Sequence, residues 1–236
     1  LVTGGPGIIS GIQICKELLV ESNIKFETSF NDGDNIGSET SIFDLEGNAH
    51  DILKTERLLL NILSHLSGIA TFTHSVVMEA KKVNPNVEIL ATRKTIPGLR
   101  VFEKEAVLHG GGKTHRLRLD DAILIKDNHI SAENNLKKLL KKAVKTKKNI
   151  TVEIENLKQL NQVLGIKFKR ILFDNMNLKQ LKKCLKICKN KYETEYSGNA
   201  DLKNIRKISK TGVDRISVGS ITHSAKSFDV SLELSS

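Results

Sequence analysis

The chain has no tryptophan, and aromatic residues make up only 4% of its 236 positions. A surface that stacks nucleic-acid bases needs aromatic platforms, so the composition argues against one. Long apolar runs are missing as well. No stretch approaches the ~20 residues that cross a bilayer, and no membrane association is expected. The opening LVTGGPGIISGIQICKELL has no basic region followed by an apolar core, so it is not read as a signal peptide. Cysteine is scarce: Cys15, Cys184 and Cys188 include no C-x-x-C pair and form no disulfide framework. Cys184 and Cys188 are spaced as half a metal site, but no histidine or second cysteine pair accompanies them. Beside Leu181 and Leu185 they read as buried apolar residues. A reducing, cytoplasmic compartment fits.

Positive charge is abundant, with a formal net charge of +10. It is concentrated on two helical patterns. Lys137, Lys138, Lys141, Lys142, Lys145, Lys147 and Lys148 surround a stripe of Leu136, Leu139, Leu140, Ala143 and Val144. Lys179, Lys182, Lys183, Lys186 and Lys189 decorate Leu178 to Lys189. Amphipathic helices with solvated lysine faces explain this charge. A non-catalytic nucleic-acid-binding protein would instead carry a basic face leading to exposed aromatics.

A chain of this length can bury a core as one large domain or two small ones. Up to about residue 70 it reads as mixed α and β. A helix is expected over Ile12 to Val20, and strands over Ile24 to Phe30 and Ser41 to Leu45. Glu56 to Met78 should be one long helix, or two broken near Ser67-Gly68. From Val87, short apolar strands alternate with amphipathic helices: VEILAT, AILIK, ITVEIE, RILFD, YETEY and RISV, with a further short strand possible at His115 to Leu119. The alternation fits a parallel α/β barrel or a doubly wound sheet.

The ends of these strands carry chemistry. VEILAT runs into Arg93 and Lys94, AILIK ends in Lys126, ITVEIE in Glu155 and RILFD in Asp174. YETEY leads to Ser197-Gly198-Asn199, and RISV to Gly219-Ser220. In a parallel barrel all C-terminal strand ends face one mouth, where active sites sit. A cation at a buried strand end is costly unless an anion meets it. Arg93, Lys94, His115, Arg116 and Lys126 therefore suggest a site for a small, highly charged anion. Spacing alone fits structural ion pairs with Glu103, Asp120 and Asp121 equally well. Glu155 and Asp174 fit barrel-lysine partners as well as a site. Glu153, which alternates with Glu155, is expected to point to the opposite face of the strand.

Several segments together resemble one family, quinolinate phosphoribosyltransferase. They are ERLLLNILSHLSGIATFT, TRKTIPGLRVFEKEAV, GGGKTHRLRLDDAILIKDNHI, VEIEN, LFDNM, EYSGNADLKNIRK and ISVGSITHSAKSFDVSLEL. They occur in the family's order almost to the C-terminus. The resemblance implies a fold of an N-terminal open α/β sandwich joined to a seven-stranded parallel α/β barrel. The sandwich would cover 1–71 and be joined by the tail 226–236; the barrel would cover 72–225. A helix and strands would precede the first residue. The implied reaction converts quinolinate and phosphoribosyl pyrophosphate to nicotinate mononucleotide, pyrophosphate and CO₂, with Mg²⁺, in NAD biosynthesis. Quinolinate would be held by Thr92, Arg93, Lys94, His115, Arg116 and Lys126, with Arg57 reaching in from a neighbouring subunit of a homodimer or an assembly of dimers. Glu155 and Asp174 would serve the ribose hydroxyls and Mg²⁺. Ser197, Gly198, Asn199, Gly219, Ser220 and His223 would cradle phosphate; for His223 a packing role fits equally. Lys94, Lys126, Glu155 and Asp174 would carry the chemistry. Asn199 stands where the family often has glycine, and asparagine tolerates left-handed backbone. A same-fold transferase acting on nicotinate or another aromatic acid, such as the paralogue linked to molybdenum uptake, would not need the second carboxylate site.

Three tempting motifs are set aside. Gly5-Pro6-Gly7 with Gly11 lacks the preceding strand of a dinucleotide loop. His109-Gly110-Gly111-Gly112 has no G-x-S-x-G partner. Asp32-Gly33-Asp34 lacks the rest of a calcium loop.

Overall fold

The computed structural model describes residues 1–115, 123–126, 135–146, 148–188 and 190–233. The chain divides into two units. One comprises Leu1–Val77, Lys94–Lys113 and Ser220–Ser236; the other comprises Met78–Arg93 and Thr114–Gly219.

The first unit joins short antiparallel strand pairs to helices. Strands β1 (Val2–Thr3), β2 (Gly7–Ile8), β3 (Lys25–Glu27), β4 (Asn35–Ile36) and β5 (Asp44–Glu46) accompany helix α1 (Ile12–Glu21). Strand β2 pairs with β4, and β3 with β5. Their apolar faces and the stripe of α1 bury Ile9, Ile12, Cys15, Leu19, Ile42 and Phe43 against Leu59 and Leu63. Both expected strands are present but shorter. Helix α2 (Ala49–Lys81) is unbroken over 33 residues. Gly68 does not end it, because its missing side chain serves a close approach. A Cβ there would lie 2.2 Å from the Lys226 carbonyl oxygen. The tail then donates from the Phe228 amide to Ser64 O (2.8 Å) and continues to β13 (Val230–Ser231), which pairs with β1.

Helix α3 (Arg100–His109) has an unusual polarity: Glu103 and Lys104 are buried, while Val101 and Leu108 are more than half exposed. Glu103 is fully buried; its carboxylate meets His65 Nε2 at 2.9 Å and accepts from the Ile96 amide at 3.2 Å.

The motifs set aside have local duties. The Asp32 carboxylate accepts from the Gly11, Ile12 and Gln13 amides, filling the N-terminus of α1. The strand Val2–Thr3 does precede the glycines, but that helix end is already capped. His109 Nδ1 pairs with Ser10 Oγ at 2.8 Å.

The second unit is built on seven strands: β6 (Glu88–Ala91), β7 (Lys113–Thr114), β8 (Ile123–Ile125), β9 (Ile150–Ile154), β10 (Arg170–Asp174), β11 (Glu193–Ser197) and β12 (Arg215–Val218). Their order is β7-β6-β12-β11-β10-β9-β8. Strands β8 to β12 pair in parallel with their sequence neighbours, and β12 pairs in parallel with β6. The return from the last strand to the first distinguishes a curled barrel sheet from a doubly wound one. The possible strand at 115–119 is Lys113–Thr114 as far as the described residues go; 116–119 lie outside them.

Helices α4 (Leu136–Val144), α5 (Leu157–Val163), α6 (Leu178–Cys188) and α7 (Ile205–Ser209) connect the strands. Asn135 and Asn156 cap α4 and α5, accepting from the Lys138 and Gln159 amides. The lysine faces of α4 and α6 are exposed, whereas Leu136, Leu140, Leu181, Cys184 and Cys188 are buried. Lys147 and Lys189 lie outside the described residues.

All three cysteines are free and buried. Burial, then the Asp32 charge, pushes the Cys15 thiol up to about 12; burial, then Cys184, pushes Cys188 up to about 11. Burial also raises Cys184. Thiolate is the reactive form. At pH 8 the native protein is therefore expected to react with a disulfide reagent at none of these thiols within minutes, and at all three after denaturation. Rapid labelling of even one native thiol would contradict the packing.

Candidate active site

Strand alternation sorts the second unit's strands into two faces. Ile171, Phe173, Val152, Ile154, Ile216 and Val218 form one face, and all are buried. The other face carries Thr151, Glu153, Arg170, Glu193, Glu195, Arg215 and Ser217. Their contacts show that this polar face lines the inside of the curl. At the N-terminal end of the strands, Arg170 Nε and Nη2 donate to Glu193 Oε2 at 3.0 and 2.7 Å. Arg215 Nη1 donates to Glu193 Oε1 at 3.2 Å. Its Nε lies 3.2 Å from Glu88 Oε2, an ion pair without hydrogen-bond geometry. Two guanidinium groups thus share one carboxylate.

One layer nearer the C-terminal ends stands Glu195, with no exposed side-chain surface. It accepts from Ser217 Oγ at 2.6 Å and meets His115 Nε2 at 3.0 and 3.2 Å. Arg170 Nε is 3.7 Å away. Lys126 Nζ lies 3.5 Å from Glu153 Oε2. Glu153 is therefore not turned away from the Lys126 side. A period of two puts Glu153 and Glu155 on one face of their strand, which corrects the expectation from sequence.

The mouth follows. Phe173 is in register with Ile154; Asp174 is the last residue of β10, and Glu155 directly follows β9. Glu155 is exposed and Asp174 half-buried. Asn175 Nδ2 donates to Asp174 Oδ2 at 2.7 Å. Burial, then the Asp174 charge, raises the neighbouring Tyr196 hydroxyl above its ordinary value. Ser197 ends β11, and its carbonyl accepts from the Asn175 amide at 2.8 Å. Gly198 has φ +124°, and a Cβ there would lie 2.4 Å from Asn175 Oδ1, so only glycine fits. Asn199 adopts φ 47°, the left-handed backbone that asparagine tolerates. Thr92 and Arg93 follow β6 directly and are half-buried. Gly219 follows β12.

Other expected site residues belong to the first unit. Lys94 is exposed, and its carbonyl accepts from Thr222 Oγ1 at 2.7 Å. Ser220 opens α8 (Ser220–His223), and its Oγ is buried without a hydrogen-bond partner among the described residues. A buried orphan hydroxyl favours an incoming acceptor. His223 is exposed, with Nδ1 at 2.5 Å from Ser224 Oγ. The Arg57 side chain is 76% exposed. Arg116 lies outside the described residues, as do Asp120 and Asp121.

The structure thus sets His115 against Glu195 and Lys126 against Glu153, with Asp174 and Ser197 in register at the ends of β10 and β11; Glu155 follows β9 and is exposed. It also explains why spacing alone could not decide between ion pairs and a site. Two of the cations do have structural acids, but these are Glu195 and Glu153, while Glu103 serves His65. The strand-interior groups Arg170, Glu193, Glu195, Arg215 and Ser217 were missed from sequence. Their signal was the even spacing of Arg170 and Asp174 in RILFD and of Glu193 and Glu195 in ETEYS, which puts each pair on one strand face, inward once the sheet curls.

Among the described residues, no cluster of three or more His, Cys, Asp or Glu could hold a metal ion. The Glu155–Asp174 pair is the hard-oxygen set that Mg²⁺ takes, one or two carboxylates completed by water and substrate oxygens.

A curled parallel sheet with cations, carboxylates and small-residue turns at its strand ends defines a phosphoribosyltransferase-type barrel. Residues 1–67 match the N-terminal domain of quinolinate phosphoribosyl transferase, and residues 69–233 match its C-terminal domain. A Methanocaldococcus jannaschii protein called probable nicotinate-nucleotide pyrophosphorylase (carboxylating) is 42% identical over 96% of this chain and 83% of its own. Quinolinate phosphoribosyltransferase (decarboxylating) 1b of Nicotiana tabacum is 36% identical over 97% of this chain and 71% of its own. The nicotinate-nucleotide pyrophosphorylase structure from Francisella tularensis superposes with a TM-score of 0.92 at 38% identity, covering 97% of this chain and 82% of that one. The chain belongs to the quinolinate phosphoribosyltransferase family.

Removing one partner of a buried ion pair leaves the other charge stranded. Arg170→Met is expected to cost about 3 kcal/mol of folding stability. Lys25→Met, at an exposed pair with Glu46, should cost under about 0.5 kcal/mol. Urea titration of both variants checks the contrast; equal losses would mean the inward network is not buried in effect.

Proposed function

We propose that this chain transfers the phosphoribosyl group of phosphoribosyl pyrophosphate to the ring nitrogen of quinolinate, yielding nicotinate mononucleotide, pyrophosphate and CO₂ for NAD biosynthesis. The observation that carries the reading is the 42% identity to a carboxylating nicotinate-nucleotide pyrophosphorylase over 96% of the chain. The strand-end chemistry supports it. Quinolinate has two carboxylates on adjacent ring carbons and needs several cations held together, a role for Arg93, Lys94, His115, Arg116 and Lys126. The turn residues Ser197, Gly198, Asn199 and Gly219 suit phosphate oxygens, as does the hydroxyl of Ser220.

The reaction needs positioning and charge neutralisation more than covalent help. As the bond between ribose C1 and pyrophosphate breaks, positive charge grows on the ribose, and the pyridine nitrogen captures it. The resulting pyridinium stabilises the carbanion left when the adjacent carboxylate departs as CO₂, and that carbon then takes a proton from solvent to give the product. Glu155 and Asp174 stabilise the cationic ribose from the mouth. They would also hold Mg²⁺, which supplies neutralisation of the departing pyrophosphate. Asn175, donating to Asp174, fixes one of the two carboxylates.

We read the working form as a homodimer with shared sites. Arg57 is exposed on α2, on the same helix as the exposed Leu53 and Leu58. The outward apolar residues of α3 suit a second copy, with Arg57 then serving the neighbour's substrate. The buried free thiols suit the cytoplasm.

The deciding assay is release of labelled CO₂ from quinolinate by the full-length protein, dependent on phosphoribosyl pyrophosphate and Mg²⁺. Transfer to nicotinate without quinolinate turnover would overturn the reading. Glu155→Gln and Asp174→Asn should each slow turnover by roughly two decades, an electrostatic effect of about 3 kcal/mol, with quinolinate affinity kept or improved. If they were structural partners, melting temperature and affinity for both substrates would fall together. Mixing inactive Arg57→Ala with inactive Lys126→Ala subunits should restore activity, because one site of each mixed dimer is intact. No recovery after verified exchange would mean that each chain completes its own site.

A further inference from the structure

The curl of the sheet brings together two residues that the strand order separates. Glu195 stands on β11 and His115 directly follows β7; β12 and β6 lie between them. In a flat sheet three strand spacings of ~4.8 Å would put their backbones about 14 Å apart. Yet His115 Nε2 is 3.0 Å from Glu195 Oε1 and 3.2 Å from Oε2. The contact reaches across the inside of the barrel. Glu195 itself is held on other sides, by Ser217 Oγ at 2.6 Å and Arg170 Nε at 3.7 Å. It is fully buried, whereas the His115 side chain keeps 15% of its surface exposed.

From this geometry we propose that Glu195 is a positioning residue for substrate recognition, acting through His115. A carboxylate can only accept, so it fixes the hydrogen of His115 on Nε2 and sets the plane of the ring. Ser217 and Arg170 keep the carboxylate from turning. The exposed part of His115 then meets the substrate at one angle. The inference rests on the proposed place of His115 at quinolinate. It adds that the orientation of this cation-site residue is determined a layer below the mouth, by groups that touch no substrate. Glu195 lies two residues before Ser197 on the same strand face, so its backbone position is fixed by the strand that carries the expected phosphate turn. A shift of that turn would tilt the imidazole. Phosphate-side and carboxylate-side recognition thereby share one rigid strand.

The test measures direct binding of quinolinate and of phosphoribosyl pyrophosphate, with melting temperature, for the full-length wild type and four variants. Glu195→Gln keeps the shape and one acceptor. It should weaken quinolinate binding roughly tenfold, the scale of one charge-assisted contact, and leave phosphoribosyl pyrophosphate within about twofold. His115→Ala should weaken quinolinate binding at least as much. The double variant Glu195→Gln/His115→Ala should be no worse than His115→Ala alone, because Glu195 acts only through that ring. Ser217→Ala, which removes no charge, should shift quinolinate binding in the same direction by about threefold and serves if Glu195→Gln fails to fold. Additive losses in the double variant, equal weakening of both ligands, or unchanged quinolinate binding in Ser217→Ala would overturn the proposal. Failure of the functional reading itself looks different, since the wild type would then not bind quinolinate at all.

Discussion

The carboxylate of Glu195 is the constraint on which the second unit turns. A buried carboxylate without partners would be strongly destabilising. Its partners come from two other strands, β10 and β12, and from the segment after β7, so satisfying it and curling the sheet are one event. The same holds for Glu193, which bridges Arg170 and Arg215. The inside of the barrel is therefore a charged layer whose geometry is demanded by charge pairing. The hydrophobic work is done on the other strand face, where Ile171, Phe173, Val152 and Val218 are buried. This division frees the strand ends to carry function. Apolar packing outside holds the strands, charge pairing inside sets their curl, and the mouth inherits side chains whose roots are already fixed.

Much of this was legible beforehand, and the reasons can be traced to particular residues. The strands around Ile154, Phe173 and Val218 announced themselves by apolar alternation, and the lysine helices by their stripes. The left-handed backbone at Asn199 was anticipated because the family often has glycine at that position and asparagine tolerates it. The ordered family segments chose a barrel where periodicity left two sheets open. What escaped was anything that depends on closure. ETEYS reads as a half-exposed strand, because nothing local says that the other side of the molecule will cover its glutamates. Glu153 was put on the wrong face although the period of two already contained the answer. Helix α3 was equally opaque: burying Glu103 and Lys104 while showing Val101 and Leu108 inverts the rule by which helices are read.

The first unit shows the same economy in smaller form. Features that imitate functional motifs are consumed by structure: Asp32 fills a helix start, and His109 is engaged by Ser10. Gly68, which might have interrupted a helix, instead lets the tail pass against it. A motif is informative only when the groups it offers are not already taken by the fold.

The shared carboxylate at the barrel floor also bears on how this family can diverge. Arg170, Glu193, Arg215 and Glu88 form one connected set, so a change at any single position strands a charge that the others were balancing. Such positions do not drift independently. They are expected to persist together, or to be replaced together by an uncharged floor, with intermediates rare because each would fold poorly. The mouth, where each side chain answers to substrate, can be tuned one residue at a time. Two tempos of sequence change would then run along the same strands, a few ångströms apart.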